Sequence, residues 1–251
     1  MGIIGGELGV RLLRRIAPRG VGASQMDGSA YAGRSKLRSL LGDALVERLV
    51  ARHVVDFGCG VGSEAVELAQ IGARTVTGVD IQEHLLAEAR TLAARAGVAD
   101  RVTFVSAFHG TADVIVSIDA FEHFGDPADI LRIMRGMLEP GGEVIASFGP
   151  TWYHPLGGHL FSVFPWAHLL FTERVLLRWR SEFKSDGATR FHEVAGGLNQ
   201  MTIARFRALV SASGFRAEQI EPVPIRKLSR LHFRMTEEFT SAIVRARLVA
   251  V

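Results

Sequence analysis

The sequence predicts an α/β fold built on a doubly wound, mostly parallel sheet. Three observations carry this. Short apolar runs alternate with amphipathic stretches between residues 37 and 148. A glycine-rich turn, Gly58-Cys59-Gly60-Val61-Gly62, follows the first apolar run, and Asp80 closes the second. Strands alternating with helices at this spacing are the mark of βαβ units, because parallel strands need a crossover. The composition allows it. With 251 residues, 48% hydrophobic and 22% charged, the chain can bury a full core and is neither disordered nor fibrous.

The elements follow in order. Residues 37–52 have the period of an amphipathic helix, and residues 53–57 form an apolar strand. Residues 63–71 read as helix, 75–79 as strand, and 84–96 as a helix closed by Gly97. Strands at 102–105 and 114–118 are joined by a short connection. A helix over 127–137 stops at Glu139-Pro140-Gly141-Gly142, where proline and glycine bar its continuation and open a strand over 143–148. The rhythm then breaks. Residues 152–171 are rich in aromatics and histidine, 172–183 have helical period, and 184–200 form a polar loop containing glycine. Thr202 then caps a helix that Gly214 ends, and strands follow at 216–222 and 241–251. Too little chain separates these last two for a crossover helix, so they should pair antiparallel. The expected organisation is a basic extension, 1–36, and one domain, 37–251, with a lid inserted at 150–200.

Charge is segregated along the chain. The net +3 resolves into +5 over residues 1–52, −8 over 53–171 and +6 over 172–251. An acidic body between basic flanks suits a cationic ligand better than a polyanion. The lone cysteine, Cys59, excludes an intrachain disulfide, which agrees with an expected cytoplasmic location. Arg11, Arg14, Arg15 and Arg19 follow the first apolar residues, the reverse of a secretory signal. Residues 8–16 could form a basic amphipathic helix that touches a membrane surface peripherally, or a frayed, solvated terminus. The most apolar stretch, 156–171, is interrupted by His159, Ser162, Pro165 and His168 and is too short to span a bilayer. Arg174, Arg178, Trp179 and Arg180 read as one face of a lid helix rather than a nucleic-acid patch, so no nucleic-acid partner is expected.

The glycine turn is the strongest chemical signal. Glycines between a strand and a helix let a ligand lie against bare backbone, and the helix start presents free N–H groups. Asp80 is placed to accept ribose hydroxyls. Gly60-x-Gly62-x-x-Ala65 with Asp80 beyond also satisfies a dinucleotide pattern. Asp56 argues against it. A carboxylate before the glycines would repel a pyrophosphate by roughly 4 kcal/mol per charge pair at about 4 Å. It suits an amino or sulfonium group.

Asp56-Phe57-Gly58-Cys59-Gly60-Val61-Gly62, Val79-Asp80, Asp119-x-x-Glu122-His123 and Leu138-Glu139-Pro140-Gly141-Gly142, in this order, resemble a class I S-adenosylmethionine-dependent methyltransferase of the small-molecule, methyltransferase-11-like type. The resemblance spans residues 37–150 and, in outline, 200–251. It implies a Rossmann-like seven-stranded sheet with its last strand antiparallel, and S-adenosylmethionine as cofactor. It implies that Gly58 and Gly60 contact the methionine half, that Asp80 meets the ribose, that Asp119 and Ala120 lie nearest sulfur, and that Asp56, Cys59 and Ile81 also belong to the cofactor site. The family's acidic adenine contact is missing: Ser106-Ala107-Phe108 stand there, leaving backbone at Ala107 and either a covering ring or a plain core residue at Phe108.

The acceptor is read by elimination. There is no Asn/Asp-Pro-Pro-aromatic run for base amines, no spare cysteine for pyrimidine attack, and no acidic residue in Phe148-Gly149-Pro150 for a catechol-type metal site. A small, apolar acceptor remains. Lid aromatics from Trp152 to Phe171 could line its pocket, or form a second core layer or a homodimer contact. A hydroxyl acceptor needs a base, for which His123 and His192 are the candidates. Asp119, Glu122, His123 and His192 also resemble a divalent-metal arrangement, with Asp119 shorter than the usual Glu. Metal-free roles rank first. The alternative function is a non-methylating member of the fold that holds the cofactor structurally.

Overall fold

The computed structural model describes residues 2–18, 20, 33–194 and 196–251; much of the basic extension, residues 19 and 21–32 among it, lies outside them. Along the chain run α1 (Gly6–Ile16), α2 (Lys36–Leu41), α3 (Asp43–Glu47), β1 (His53–Phe57), α4 (Ser63–Gln70), β2 (Thr75–Val79), α5 (Glu83–Arg95), β3 (Val102–Val105), β4 (Ala112–Ile118), α6 (Pro127–Gly136) and β5 (Leu138–Phe148). The lid carries α7 (Ala167–Leu170) and α8 (Glu173–Arg180). Then come α9 (Ile203–Ser211), β6 (Phe215–Pro224), α10 (Glu237–Thr240) and β7 (Ser241–Ala250).

The seven strands make one sheet in the order β3-β2-β1-β4-β5-β7-β6. Strands β1 to β5 pair in parallel, and β7 runs antiparallel between β5 and β6. The expected seven-stranded α/β sheet with its last strand antiparallel is the observed one. Chain order runs outward in both directions from β1 and β4, so the loops beyond their carboxyl ends diverge and open a crevice. Side-chain alternation builds a core on each face: along β4, Val114, Val116 and Ile118 join α2 to α5, whereas Ile115 joins α6 and α9.

Several local expectations differ. The helix over 37–52 breaks at Gly42, whose φ of +80° suits glycine and turns the chain from α2 into α3. Strand β5 begins at Leu138, opposite Ala112, and a register shift between Ala112 and Val114 absorbs the Pro-Gly-Gly stretch. Residues 121–123 form a turn, not a helix start; α6 begins at Pro127, N-capped by Asp126.

The terminus is not frayed over residues 2–16. Helix α1 buries Val10 and Leu13 against α8, Ile4 bridges Phe171, and Glu7–Arg178 and Arg14–Glu182 ion pairs, each 2.7 Å, clamp its flank. The lid aromatics form a third core with it: Trp152, Phe161, Phe171, Trp179 and Phe191 are buried there. These rings are spent on packing, so the core-layer alternative holds for them rather than the pocket lining.

Candidate active site

The turn from β1 into α4 is held open by three left-handed glycines, with φ of +82° at Gly58, +50° at Gly60 and +78° at Gly62. Their surroundings differ. A Cβ on Gly62 would press within 2.8 Å of the Phe104 ring and 2.7 Å of Ala89, so this glycine lets helix and strand pack. One on Gly58 would meet Ala120 at 3.3 Å, and one on Gly60 would meet nothing within 4 Å. Gly60 therefore faces open space. Asp80 stands beside it, its Oδ2 accepting from Gly60 N at 3.0 Å and its Oδ1 from Gln82 N at 2.9 Å. Those bonds aim the carboxylate and leave lone pairs for a further donor.

Beneath the turn, Asp56 is buried at 2% exposure and its Oδ2 has no partner. Burial, reinforced by Glu64, pushes its pKa well up, and Lys36 offsets only part of this. An orphaned buried carboxylate oxygen is costly unless a donor or cation reaches it. Lys36, unremarked in the sequence, supplies the one ammonium that reaches this region among the described residues, 2.7 Å from Glu64 Oε1 and 3.1 Å from Asp119 Oδ2. Burial alone would lower the lysine's pKa, but Glu64 and Asp119 raise it. Asp56, Glu64, Asp80 and Asp119 thus share one resident ammonium, and it is this excess of carboxylates over cations that suits the amino and sulfonium groups of S-adenosylmethionine. With the bare backbone at Gly60 and the aimed Asp80, the residues present fit that cofactor.

After β4 the chain turns sharply. Asp119 sits at φ +50°, its N–H donating to Ser147 O at 2.8 Å, and Ala120 packs on the glycine turn. Burial raises the Asp119 pKa, with Lys36 opposing. Glu122 turns inward: Oε1 accepts from Gly149 N at 3.1 Å, Oε2 is buried without a partner, and burial, then Asp119, pushes its pKa up to about 8. His123 is held differently. Its Nδ1 lies 2.9 Å from Gly197 O and donates to it, so the neutral ring carries its proton on Nδ1 and its lone pair on Nε2. The ring meets His159 edge to face at 5.2 Å. Asn199 clamps the turn, Nδ2 donating to Phe121 O at 2.6 Å and Phe124 O at 2.8 Å. The end of the lid therefore positions His123.

Other expected residues stand differently. His192 comes close by its backbone, its carbonyl and that of His123 both lying within 4 Å of where a Cβ on Gly197 would sit, but its side chain is exposed beside Glu193, 4.0 Å away. Among the described residues no three His, Cys, Asp or Glu side chains form a metal-binding group. The divalent-metal arrangement of Asp119, Glu122, His123 and His192 is thus not assembled: Glu122 turns inward to Gly149 N, Asp119 pairs with Lys36, and the His192 side chain is exposed. Phe108 packs edge-on to His53 at 5.8 Å and lies, partly buried, against the core under the sheet, which favours its core reading over that of a cover for adenine. Ala107 and Ile81 are exposed beyond the ends of β3 and β2. The Cys59 thiol is buried, and burial followed by Asp56 pushes its pKa up, so only its backbone is available to a ligand. Lys36, Asn199 and His159 meet the other residues only through long-range folding, and no local pattern marks them.

A family model described as a methyltransferase domain matches residues 30–220. The chain belongs to the methyltransferase-domain family, with the class I fold. A ubiquinone biosynthesis O-methyltransferase of Pseudomonas aeruginosa is 36% identical over 105 residues, covering 39% of this chain and 45% of that protein. The match thus spans about half the length of such a curated relative. Magnesium protoporphyrin IX methyltransferase from Synechocystis, solved with bound S-adenosylhomocysteine, superposes with a TM-score of 0.57 at 20% identity, over 98% of this methyltransferase-family chain and 95% of that one. A [4+2]-cyclase shares the fold too, with a TM-score of 0.54 at 15% identity, over 82% and 78%. No helix of the described residues is long and apolar enough to cross a membrane.

Proposed function

We propose that this protein transfers the methyl group of S-adenosylmethionine to an oxygen or nitrogen of a small, apolar acceptor, with His123 as general base. The observation that carries the cofactor assignment is the glycine turn, where Gly60 faces open space beside the aimed carboxylate of Asp80 and above the orphaned Asp56. In this reading Gly58 and Gly60 lie along the methionine half, Asp80 and Ile81 meet the ribose, backbone at Ala107 meets the adenine, and Asp119 and Ala120 flank the sulfur. The bound cofactor supplies a methyl group already activated on sulfonium, so the protein's task is positioning and removal of one proton. His123 suits that task because Gly197 O fixes the tautomer and leaves Nε2 to accept. The relative's printed role in ubiquinone biosynthesis supports an apolar acceptor and oxygen as the methylated atom.

The test is transfer of labelled methyl to a panel of phenols, hydroxyquinones and amines, with S-adenosylhomocysteine affinity measured in parallel. His123→Ala should abolish turnover and keep cofactor affinity, while His192→Ala retains both. Chelation with EDTA should leave turnover unchanged. Tight cofactor binding without transfer to any acceptor would instead favour a non-methylating role.

A further inference from the structure

We propose that the connection between β6 and β7, residues 226–239, docks this protein on an anionic lipid surface. Arg226–Leu231 is a short 3₁₀ helix with no buried residue. Around and after it Leu231 is 58% exposed, Phe233 53%, Met235 87% and Phe239 44%. Arg226, Lys227, Arg230 and Arg234 are exposed among them and make no ion pair among the described residues.

The carboxylates of the segment face inward. Glu237 pairs with Arg207, and Glu238 accepts from Ile203 N at 3.0 Å and Ala204 N at 2.8 Å, at the start of α9. The outer side therefore carries apolar and cationic groups, with Ser229 exposed among them, and no exposed carboxylate. It is also held in shape. His232 reaches Thr240 Oγ1 at 2.9 Å and Pro222 O at 3.1 Å, and Ile225 N donates to Thr240 O at 2.8 Å.

A second element has the same make-up. Helix α1 turns Val10 and Leu13 inward and leaves Leu8, Leu12 and Ile16, spaced by four, exposed beside Arg11 and Arg15. Arg11 and Arg15 likewise make no ion pair among the described residues. Both elements join the lid, α1 through α8 and the β6–β7 connection through Phe239 against Tyr153, ring centres 5.2 Å apart.

Single exposed apolar residues are ordinary on a protein surface. Apolar side chains set among unpaired cations, with acids withdrawn, are what an anionic bilayer accepts: the apolar groups enter the headgroup boundary and the cations meet lipid phosphate. Each cation near such a surface strengthens partitioning about fivefold. A nucleic acid would reward the arginines but gain little from Leu231 and Met235. Docking at the lid would let an apolar acceptor arrive from the bilayer, yet the lipid contact itself is independent of the acceptor reading.

The full chain should cosediment with vesicles of phosphatidylcholine containing phosphatidylglycerol, less so at high salt, and not with phosphatidylcholine alone. Leu231→Ser/Phe233→Ser/Met235→Ser should weaken this by about tenfold or more, as should Arg226→Gln/Lys227→Gln/Arg230→Gln/Arg234→Gln. Both variants should keep the wild-type Tm and S-adenosylhomocysteine affinity. No acceptor enters these measurements, so a failed methylation assay leaves them intact. The proposal is overturned if the wild type ignores anionic vesicles, binds neutral ones equally, or if the variants bind as well as it does. It is equally overturned by a dimer that the apolar triple variant dissolves without any vesicle binding, or by oligonucleotide binding in its place.

Discussion

Gly60 and Gly62 are two residues apart and both left-handed, yet their neighbours dictate opposite failures on substitution. A methyl on Gly62 would sit 2.7 Å from the Ala89 Cβ and 2.8 Å from two Phe104 ring carbons, in the packed layer between α4, α5 and β3. The left-handed backbone costs a non-glycine residue roughly 1–2 kcal/mol, and overpacking a core costs roughly 1–3 kcal/mol more. Gly62→Ala should therefore lose about 2–5 kcal/mol, a fall in Tm of roughly 5–15 °C for a chain of this size. At Gly60 no atom lies within 4 Å of the added carbon, so only the backbone term applies, about 1–2 kcal/mol. The methyl would instead occupy the space assigned to the cofactor. Gly60→Ala should weaken S-adenosylhomocysteine binding by at least about tenfold, equivalent to about 1.4 kcal/mol. Thermal unfolding with and without ligand, plus calorimetric titration, separates the two effects. Equal Tm losses, or wild-type affinity in Gly60→Ala, would refute the reasoning.

Three further outcomes are expected. Lys36→Met removes the ammonium between Glu64 and Asp119 and should cost about 1–3 kcal/mol in urea unfolding; an unchanged midpoint would show that the contact contributes nothing. Leu13→Ala should destabilise the lid core by about 2–5 kcal/mol, read by fluorescence of Trp152, Trp166 and Trp179, all of which lie in the lid. The pH dependence has two opposed arms. Burial lowers His154 and His159 from 6.5 to about 4, so their contribution is complete above 6.5 and is lost as pH falls toward 4, when the tryptophan signal should report lid opening. Glu122 is raised from 4.5 to about 8, so the folded state keeps a proton that the unfolded chain has lost. Stability should then decline as pH rises between those values, and Glu122→Gln should flatten that arm. A wild-type profile identical to that of Glu122→Gln would contradict the burial of this carboxyl.

What the sequence determined alone is the part governed by short-range rules. Strand and helix alternate because apolar period and caps are local, so β1, β2 and β3 were legible to the residue. The glycine turn and Asp80 were legible because a strand-to-helix turn at positive φ needs glycine and a carboxylate at the next strand's end has a set place beside it. Tertiary structure decided the rest. Nothing local told that Lys36 would reach Asp119, 83 positions along the chain. Nor could residue spacing show that α1 would cover the lid, since the Val10 and Leu13 face fits equally a bilayer, a frayed end or the Trp179 layer it meets. The pairing of Asp119, Glu122, His123 and His192 looked like one site because they are all good ligands. The fold gave them different partners: Glu122 turned inward to Gly149, His123 was fixed by Gly197, and the His192 side chain was left in solvent although its backbone passes the same glycine. Residue type sets which bonds a side chain can make, and only the packed backbone sets which partner is within about 3 Å to make them.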